Sequence, residues 1–220
     1  MENVVVVGAS GQAKIAMDAI EKEEEYRIVG LIDSYKPVGS SCFGYQVIGS
    51  EEDLPRLVTE RKIYGGIVAI GNYIAKRRLI ERISELIPSF TFINAIHPSV
   101  QIAREVVLGK GILMMAGAII NSDSRVGDHC TLCTGASLDH DSTMHDYSFL
   151  SAGVTVGGRC TIGAFSFISL GAKVISGVSV GEHAVVGAGA TVVKDVPGYV
   201  VAYGTPARVI RTRSPEDKIL

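Results

Sequence analysis

Residues 126–144 read VGDHCTLCTGASLDHDSTM, with an aliphatic residue at every sixth place: Val126, Leu132, Leu138 and Met144. The step continues outward in both directions. It runs back through Ile120, Met114, Leu108 and Ile102 to Ile96, and forward from Leu150 through Val156, Ile162, Ile168, Val174, Val180 and Val186 to Val192. All seventeen positions are aliphatic; with about one residue in three of this type in an ordinary chain, chance gives such a run on the order of 10⁻⁸ of the time. Four residues after each member stands a second column of small or β-branched residues, among them Ala118, Ser124, Cys130, Ala136, Ser142, Ser148, Cys160 and Ser166. A period of six belongs neither to an α-helix nor to an alternating strand. It predicts a parallel β-helix of short flat strands and tight turns, three faces to a coil, with the aliphatic residue inside and the small one near a corner. Each coil pairs with the coils above and below and needs them for stability.

The composition narrows the partners. A chain of 220 residues with 47 % hydrophobic residues and a formal net charge of −2 can bury a sizeable core. No basic excess points to nucleic acid, and no run of about 18 apolar residues points to a membrane span. Val4–Val7 follows acidic Glu2 and precedes a Gly-rich loop, which is not the order of a signal peptide. The expected compartment is the cytoplasm. Cys130 and Cys133 have ligand spacing, but Cys130 and Cys160 both fall in the small-residue column, where a thiol acts as a small buried hydrophobe. Without a second C-x-x-C or a nearby His pair, the expectation is no metal site.

Before the hexads the pattern changes. Val4–Val7 predicts a buried strand ended by Gly8-Ala9-Ser10-Gly11, and residues 12–22 have apolar residues at helical spacing. Arg27–Ile32 predicts a strand closed by Asp33, 51–60 a helix, Gly66–Ile70 a strand, Ile74–Leu86 a helix and Phe90–Ile93 a fourth strand. This alternation implies a small Rossmann-like α/β domain with a parallel sheet. Such sheets bind ligands beyond their C-terminal strand ends. Those ends carry Gly8, Ser10 and Gly11, then Asp33, then Gly71-Asn72. Glycines allow close backbone approach and a helix N-terminus favours an anion, while a carboxylate such as Asp33 suits a sugar hydroxyl or a base N–H. The loop lacks G-x-G-x-x-G, so a nucleotide or nucleotide-sugar fits better than a dinucleotide; a plain turn with a capping Asp is the competing reading.

Within the hexads, His140 is followed by Asp141 outside the inward columns. An imidazole titrates near working pH and can take a proton from an amine or hydroxyl, and a carboxylate beside it can orient the ring. His145-Asp146 is the rival pair.

Several motifs then occur together in order: GASGQA at 8–13, the strand ending in Asp33, AIGN at 69–72, IHPS at 96–99, DHD at 139–141 and GTPARVI at 204–210. Over about residues 3–211 the chain resembles the sugar acetyltransferases of the left-handed β-helix, which include sialic-acid O-acetyltransferases and UDP-4-amino-sugar N-acetyltransferases of bacillosamine synthesis. The resemblance implies a Rossmann-like nucleotide-sugar domain at 1–95, a left-handed parallel β-helix acetyltransferase domain at 96–211 and a polar tail at 212–220. It implies acetyl transfer from acetyl-CoA to the 4-amino group of a nucleotide-linked, preferentially UDP-linked, amino-dideoxy sugar, in bacterial surface glycan synthesis. It also implies a homotrimer with active sites between subunits. His140 matches the catalytic base and Asp141 its acidic neighbour. Gly8, Ser10, Gly11, Asp33 and Asn72 match the nucleotide side; Gly153, Gly171, Ala188 and Lys194 fall along the acetyl-CoA path. Departures stand at Gln12, Ala13, Cys133, His145 and Phe149. O-acetylation of a sialic-acid-type sugar, and a non-catalytic scaffold or nucleotide-sugar sensor, are the alternatives.

Overall fold

The computed structural model describes residues 1–217. The chain divides between Pro98 and Ser99 into two compact units.

In the first unit, β1 (Glu2–Val7), β2 (Tyr26–Ile32), β4 (Tyr45–Gly49), β5 (Ile63–Val68) and β6 (Thr91–Phe92) form one sheet, which β3 (Ser41–Cys42) closes at one edge. The strand order is β3-β4-β2-β1-β5-β6. Val4 to Val7 are buried on both faces of central β1, as a parallel sheet covered by helices requires. The helices are α1 (Gly11–Glu23), α2 (Leu54–Arg61) and α3 (Tyr73–Leu86). In α1, Ala13, Ala16, Met17, Ala19 and Ile20 make the buried stripe.

Three expectations need correction here. The strand expected at Gly66–Ile70 runs from Ile63 to Val68, because Ile63 enters the core while Ile70 lies past the strand end, lining a cleft. The helix expected over 51–60 starts as a 3₁₀ turn, Glu51–Asp53, held by a Ser50–Asp53 capping box, and only then becomes α2. The sheet is not wholly parallel: β3 and β4 form an antiparallel hairpin through Phe43-Gly44. Both turn residues have positive φ, 51° and 84°, the geometry of a tight hairpin turn. A phenylalanine in that position carries no turn signal in the sequence.

The second unit is a prism of stacked coils. Each two-residue strand pairs in parallel with the strand eighteen residues on, as Leu113-Met114 with Thr131-Leu132 and then Phe149-Leu150. The same step builds a second face through Ile119-Ile120, Ser137-Leu138 and Thr155-Val156. The third face runs through Arg125-Val126, Thr143-Met144 and Thr161-Ile162. From Met114 to Val192 every aliphatic hexad position is buried. Ile102 and Leu108 are not; Ile102 is 41 % exposed, because the first coil has no coil of its own unit beneath it. A strand continues through Thr212, beyond the hexads, and the Arg213 guanidinium is buried, donating to the His183 and Asp217 carbonyls.

The three corners differ in character. At each, the second turn residue has a φ of 54° to 77°, the left-handed region. One corner is all glycine there: Gly117, Gly135, Gly153, Gly171 and Gly189. Another carries His129, Tyr147, Phe165, His183 and Tyr199, whose rings stack with centroids 4.7 to 5.2 Å apart. The third carries Glu105, Asp123, Asp141 and Arg159.

Candidate active site

His140 and Asp141 occupy the turn of that third, charged corner, between the strands Ser137-Leu138 and Thr143-Met144. Elsewhere the corner turns close themselves, as where Ser148 N–H donates to His145 O and Val154 N–H to Ser151 O. The turn holding His140 is built differently. The Ser124 hydroxyl, reaching up from the coil below, donates to Asp139 O at 2.9 Å and accepts from Ser142 N–H at 3.2 Å. Ser142 does the same for the next turn, donating to Gly157 O at 3.1 Å and accepting from Cys160 N–H at 3.0 Å. A column that the sequence marks only as small is therefore, at this corner, a ladder of staples that opens each turn by one hydroxyl.

In the opened turn, His140 Nδ1 lies 2.7 Å from Asp141 Oδ2. An ionised carboxylate only accepts, so Nδ1 carries the hydrogen and the neutral ring leaves Nε2 free to take a proton. The two side chains are 47 % and 55 % exposed, open to a substrate. Asp139 Oδ1 accepts from His140 N–H and from Asn121 Nδ2, both at 2.8 Å. These donors hold the Asp139 carboxyl below the usual carboxylate range. The rival pair lacks this arrangement: Asp146 Oδ1 accepts from the amide of Asp128 one coil below.

The residues expected along the cofactor path fall on two corners. Gly153 and Gly171 are successive rungs of the glycine corner, and Ala188 adjoins the next rung, Gly189. A Cβ on Gly135, Gly153, Gly171 or Gly189 would meet nothing within 4 Å. Because the other corners hold Asp, Tyr and Phe at similar φ, the backbone alone does not demand glycine here. The result is a bare backbone strip open to the outside. Lys194 instead lies on the corner of His140, three coils along.

Cys130 and Cys133 face opposite sides of the wall. Cys130 Sγ donates inward to His145 O, whereas Cys133 follows the outer side of a strand, and burial pushes its thiol up to about 12. A thiol held protonated is a poor nucleophile. Among the described residues, no three His, Cys, Asp or Glu side chains converge as a metal cage.

In the first unit, a cleft of ≈ 340 Å³ opens at the strand ends, lined by Gly8, Asp33 and Ser34 on one side and by Ile70, Arg78 and Arg82 on the other. Asp33 Oδ1 accepts from the amides of Tyr35 and Lys36, fixing the turn after β2. Lys36 Nζ donates to Ala9 O at 2.5 Å, which sets a cation on the glycine loop. Ser10 and Gly11 begin α1, and the Ser10 side chain makes no cap bond. Of the expected nucleotide residues, Gly8 and Asp33 line the cleft and Ser10, Gly11 and Asn72 do not; Asn72 Oδ1 caps α3 by accepting from Ala75 N–H at 2.9 Å. The sequence reading missed Ser34, Glu51, Arg78 and Arg82. The two arginines could have been found, since they stand four apart on one face of α3, facing the strand ends.

The fold is thus a stack of six-residue coils, and its candidate site is a carboxylate-oriented histidine at an open corner. Comparison with known proteins gives the class. The PglD N-terminal domain family matches residues 3–83. UDP-N-acetylbacillosamine N-acetyltransferase of Bacillus subtilis is 33 % identical over 121 residues, 53 % of this chain and 52 % of that protein, so the match spans about half of that relative. A crystal structure of a His-to-Ala variant of GDP-perosamine N-acetyltransferase from Caulobacter crescentus, in complex with CoA and GDP-perosamine, superposes with a TM-score of 0.90 at 33 % identity, covering 96 % of this chain and 98 % of that one. The acetyltransferase domain of PglB from Neisseria gonorrhoeae, in complex with acetyl coenzyme A, gives 0.86 at 28 % identity over 95 % and 99 %. The chain belongs to the sugar N-acetyltransferases of the left-handed β-helix fold. Among its described residues, no helix is long and apolar enough to cross a membrane.

Proposed function

We propose that this protein transfers the acetyl group of acetyl-CoA to the 4-amino group of a nucleotide-linked amino-dideoxy sugar. The observation that carries the reading is the 2.7 Å contact between His140 Nδ1 and Asp141, which leaves Nε2 as the proton acceptor. The amine attacks the thioester carbonyl, a C–N bond forms, and His140 Nε2 takes the proton the nitrogen loses. Collapse of the tetrahedral intermediate breaks the C–S bond, and the proton leaves with the CoA sulfur. Backbone N–H groups of the coil stabilise the oxyanion, a contribution of roughly 3–4 kcal/mol per donor in other enzymes. Transfer is direct: the one thiol beside the glycine strip, Cys133, is pushed up by burial and stays protonated, so it does not compete as a nucleophile.

Gly8, Ser10, Gly11 and Asp33 serve the nucleotide, with Lys36 adding charge at the loop. Asn72 orders the start of α3 through Oδ1 and offers Nδ2 on the same side as the nucleotide residues. The bare strip of Gly153, Gly171 and Ala188 takes acetyl-CoA, and Lys194 meets a phosphate. His140 and the glycine strip lie on different corners of one prism. A site using both therefore needs two copies, which favours a homotrimer with sites between subunits. Sugars linked to UDP are the first candidates and those linked to GDP the second, as relatives of both kinds match.

The test is a screen of UDP-, GDP- and dTDP-linked 4-amino sugars with acetyl-CoA, reading the product by mass and by mild alkali. An alkali-stable product 42 mass units heavier, roughly one acetyl in place of hydrogen, supports N-acetylation. An alkali-labile product reassigns the reaction to a hydroxyl. Absence of calorimetric acetyl-CoA binding leaves a scaffold.

A further inference from the structure

The histidine proposed as the base is gripped from three directions, two of which lie outside its own turn. Gly158 stands one coil above it on the same corner. A Cβ built there would lie 2.6 Å from His140 Nε2, 2.7 Å from Cε1 and 3.0 Å from Cδ2. Gly158 does not have a positive φ, so its backbone conformation admits an L side chain; what the missing Cβ leaves room for is the imidazole in its observed position. Its backbone cannot retreat easily. Gly158 O accepts from Gly177 N–H at 2.9 Å, and the next amide, Arg159 N–H, donates to His140 O at 2.8 Å. On the other side, Asn121 from the coil below holds Asp139, and Asp139 holds the His140 amide.

We propose that Gly158 and the Asn121–Asp139 pair are positioning residues: the bare α-carbon of Gly158 seats the imidazole and leaves Nε2 uncovered, while Asn121 and Asp139 brace its backbone. This rests on the assignment of His140 as the base. The seat and the brace act on one ring from adjacent coils, so the eighteen-residue stacking step itself sets where Nε2 points. A methyl group at Gly158 meets Nε2 first, the atom that must accept the proton. The ring then swings out, losing Asp141, or stays with Nε2 covered.

The experiment compares wild type, Gly158→Ala, Asn121→Ala and His140→Ala in two readouts. Alanine keeps the Gly158 peptide N–H, so that variant adds one methyl and removes nothing. Steady-state kinetics should show kcat for Gly158→Ala down tenfold or more, with KM for acetyl-CoA and for the sugar within about twofold. Asn121→Ala should lose kcat severalfold in the same pattern. Imidazole ¹⁵N shifts, which need no turnover, should place the His140 hydrogen on Nδ1 in wild type and redistribute it in Gly158→Ala. Wild-type kcat in Gly158→Ala, or ring shifts identical to wild type, overturns the seat. Wild-type kcat in Asn121→Ala overturns the brace, and a Gly158→Ala that does not fold overturns the seat, because a methyl that meets only the imidazole displaces the ring and leaves the coil intact. If His140→Ala turns over like wild type, the base assignment fails instead, and the ring shifts still report separately on the seat.

Discussion

Ser124→Ala isolates the staple that opens the turn under His140. The Ser124 hydroxyl is fully buried and makes two bonds there: it donates to Asp139 O and accepts from Ser142 N–H. Alanine fits the column without a void, since Ala118 and Ala136 occupy equivalent positions, so the cost is polar and not a cavity. Ser142 N–H, at a fully buried residue, is left without its acceptor, which costs about 1–3 kcal/mol, and the lost bond to Asp139 O adds about 1 kcal/mol. Ser166→Ala is the matched control at the aromatic corner. There Ser166 Oγ donates to Gly181 O, but Gly181 O also accepts from Ala184 N–H and the turn closes by itself. The control should lose only about 0.5–1.5 kcal/mol. In urea unfolding followed by far-ultraviolet circular dichroism, Ser124→Ala should be the less stable variant by about 1–3 kcal/mol. Equal losses in the two variants, or none in Ser124→Ala, would refute the view that hydroxyls replace the turn bond at this corner.

Other expectations follow from the first unit and from the buried thiol. Asp33→Ala should weaken binding of the nucleotide-sugar at least tenfold in calorimetry while leaving acetyl-CoA binding within twofold, because the turn it fixes lines the cleft in a separate unit from the glycine strip. Cys133 should label with iodoacetamide at pH 8 about 10²–10³ times more slowly in the native protein than in urea, as read by peptide mass mapping. Its thiol is pushed up to about 12 by burial, so above its unfolded value near 9 the unfolded chain sheds a proton that the folded chain keeps. The stability tied to this group is complete below pH 9 and declines as pH rises toward 12; Cys133→Ala should remove that share of the alkaline loss.

The period of six made the prism legible because each inward position obeys a single steric rule, and Met114 to Val192 obey it without exception. Ile102 escapes because burial depends on a coil beneath, which periodicity does not report. The His140-Asp141 pair was visible as adjacent residues outside the core columns. Its supports were not: Asn121 and Gly158 are nineteen and eighteen residues from His140 and touch it or its brace only once the coils stack. The hydroxyl ladder was hidden for a related reason, since Ser124, Ala136 and Cys130 look alike in a column defined by size. Likewise the β3–β4 hairpin turns on a phenylalanine at positive φ, and the cleft residues Arg78 and Arg82 come from a helix face turned toward strand ends.

The central claim is that one histidine, fixed at a corner of the stack, removes the proton from the attacking amine. Its most direct test is the kcat of His140→Ala with acetyl-CoA and the sugar found in the screen, measured on protein whose fold and acetyl-CoA binding match wild type. General-base catalysis predicts a fall of about 10²–10⁴. A kcat within twofold of wild type would contradict it and pass the role to His145.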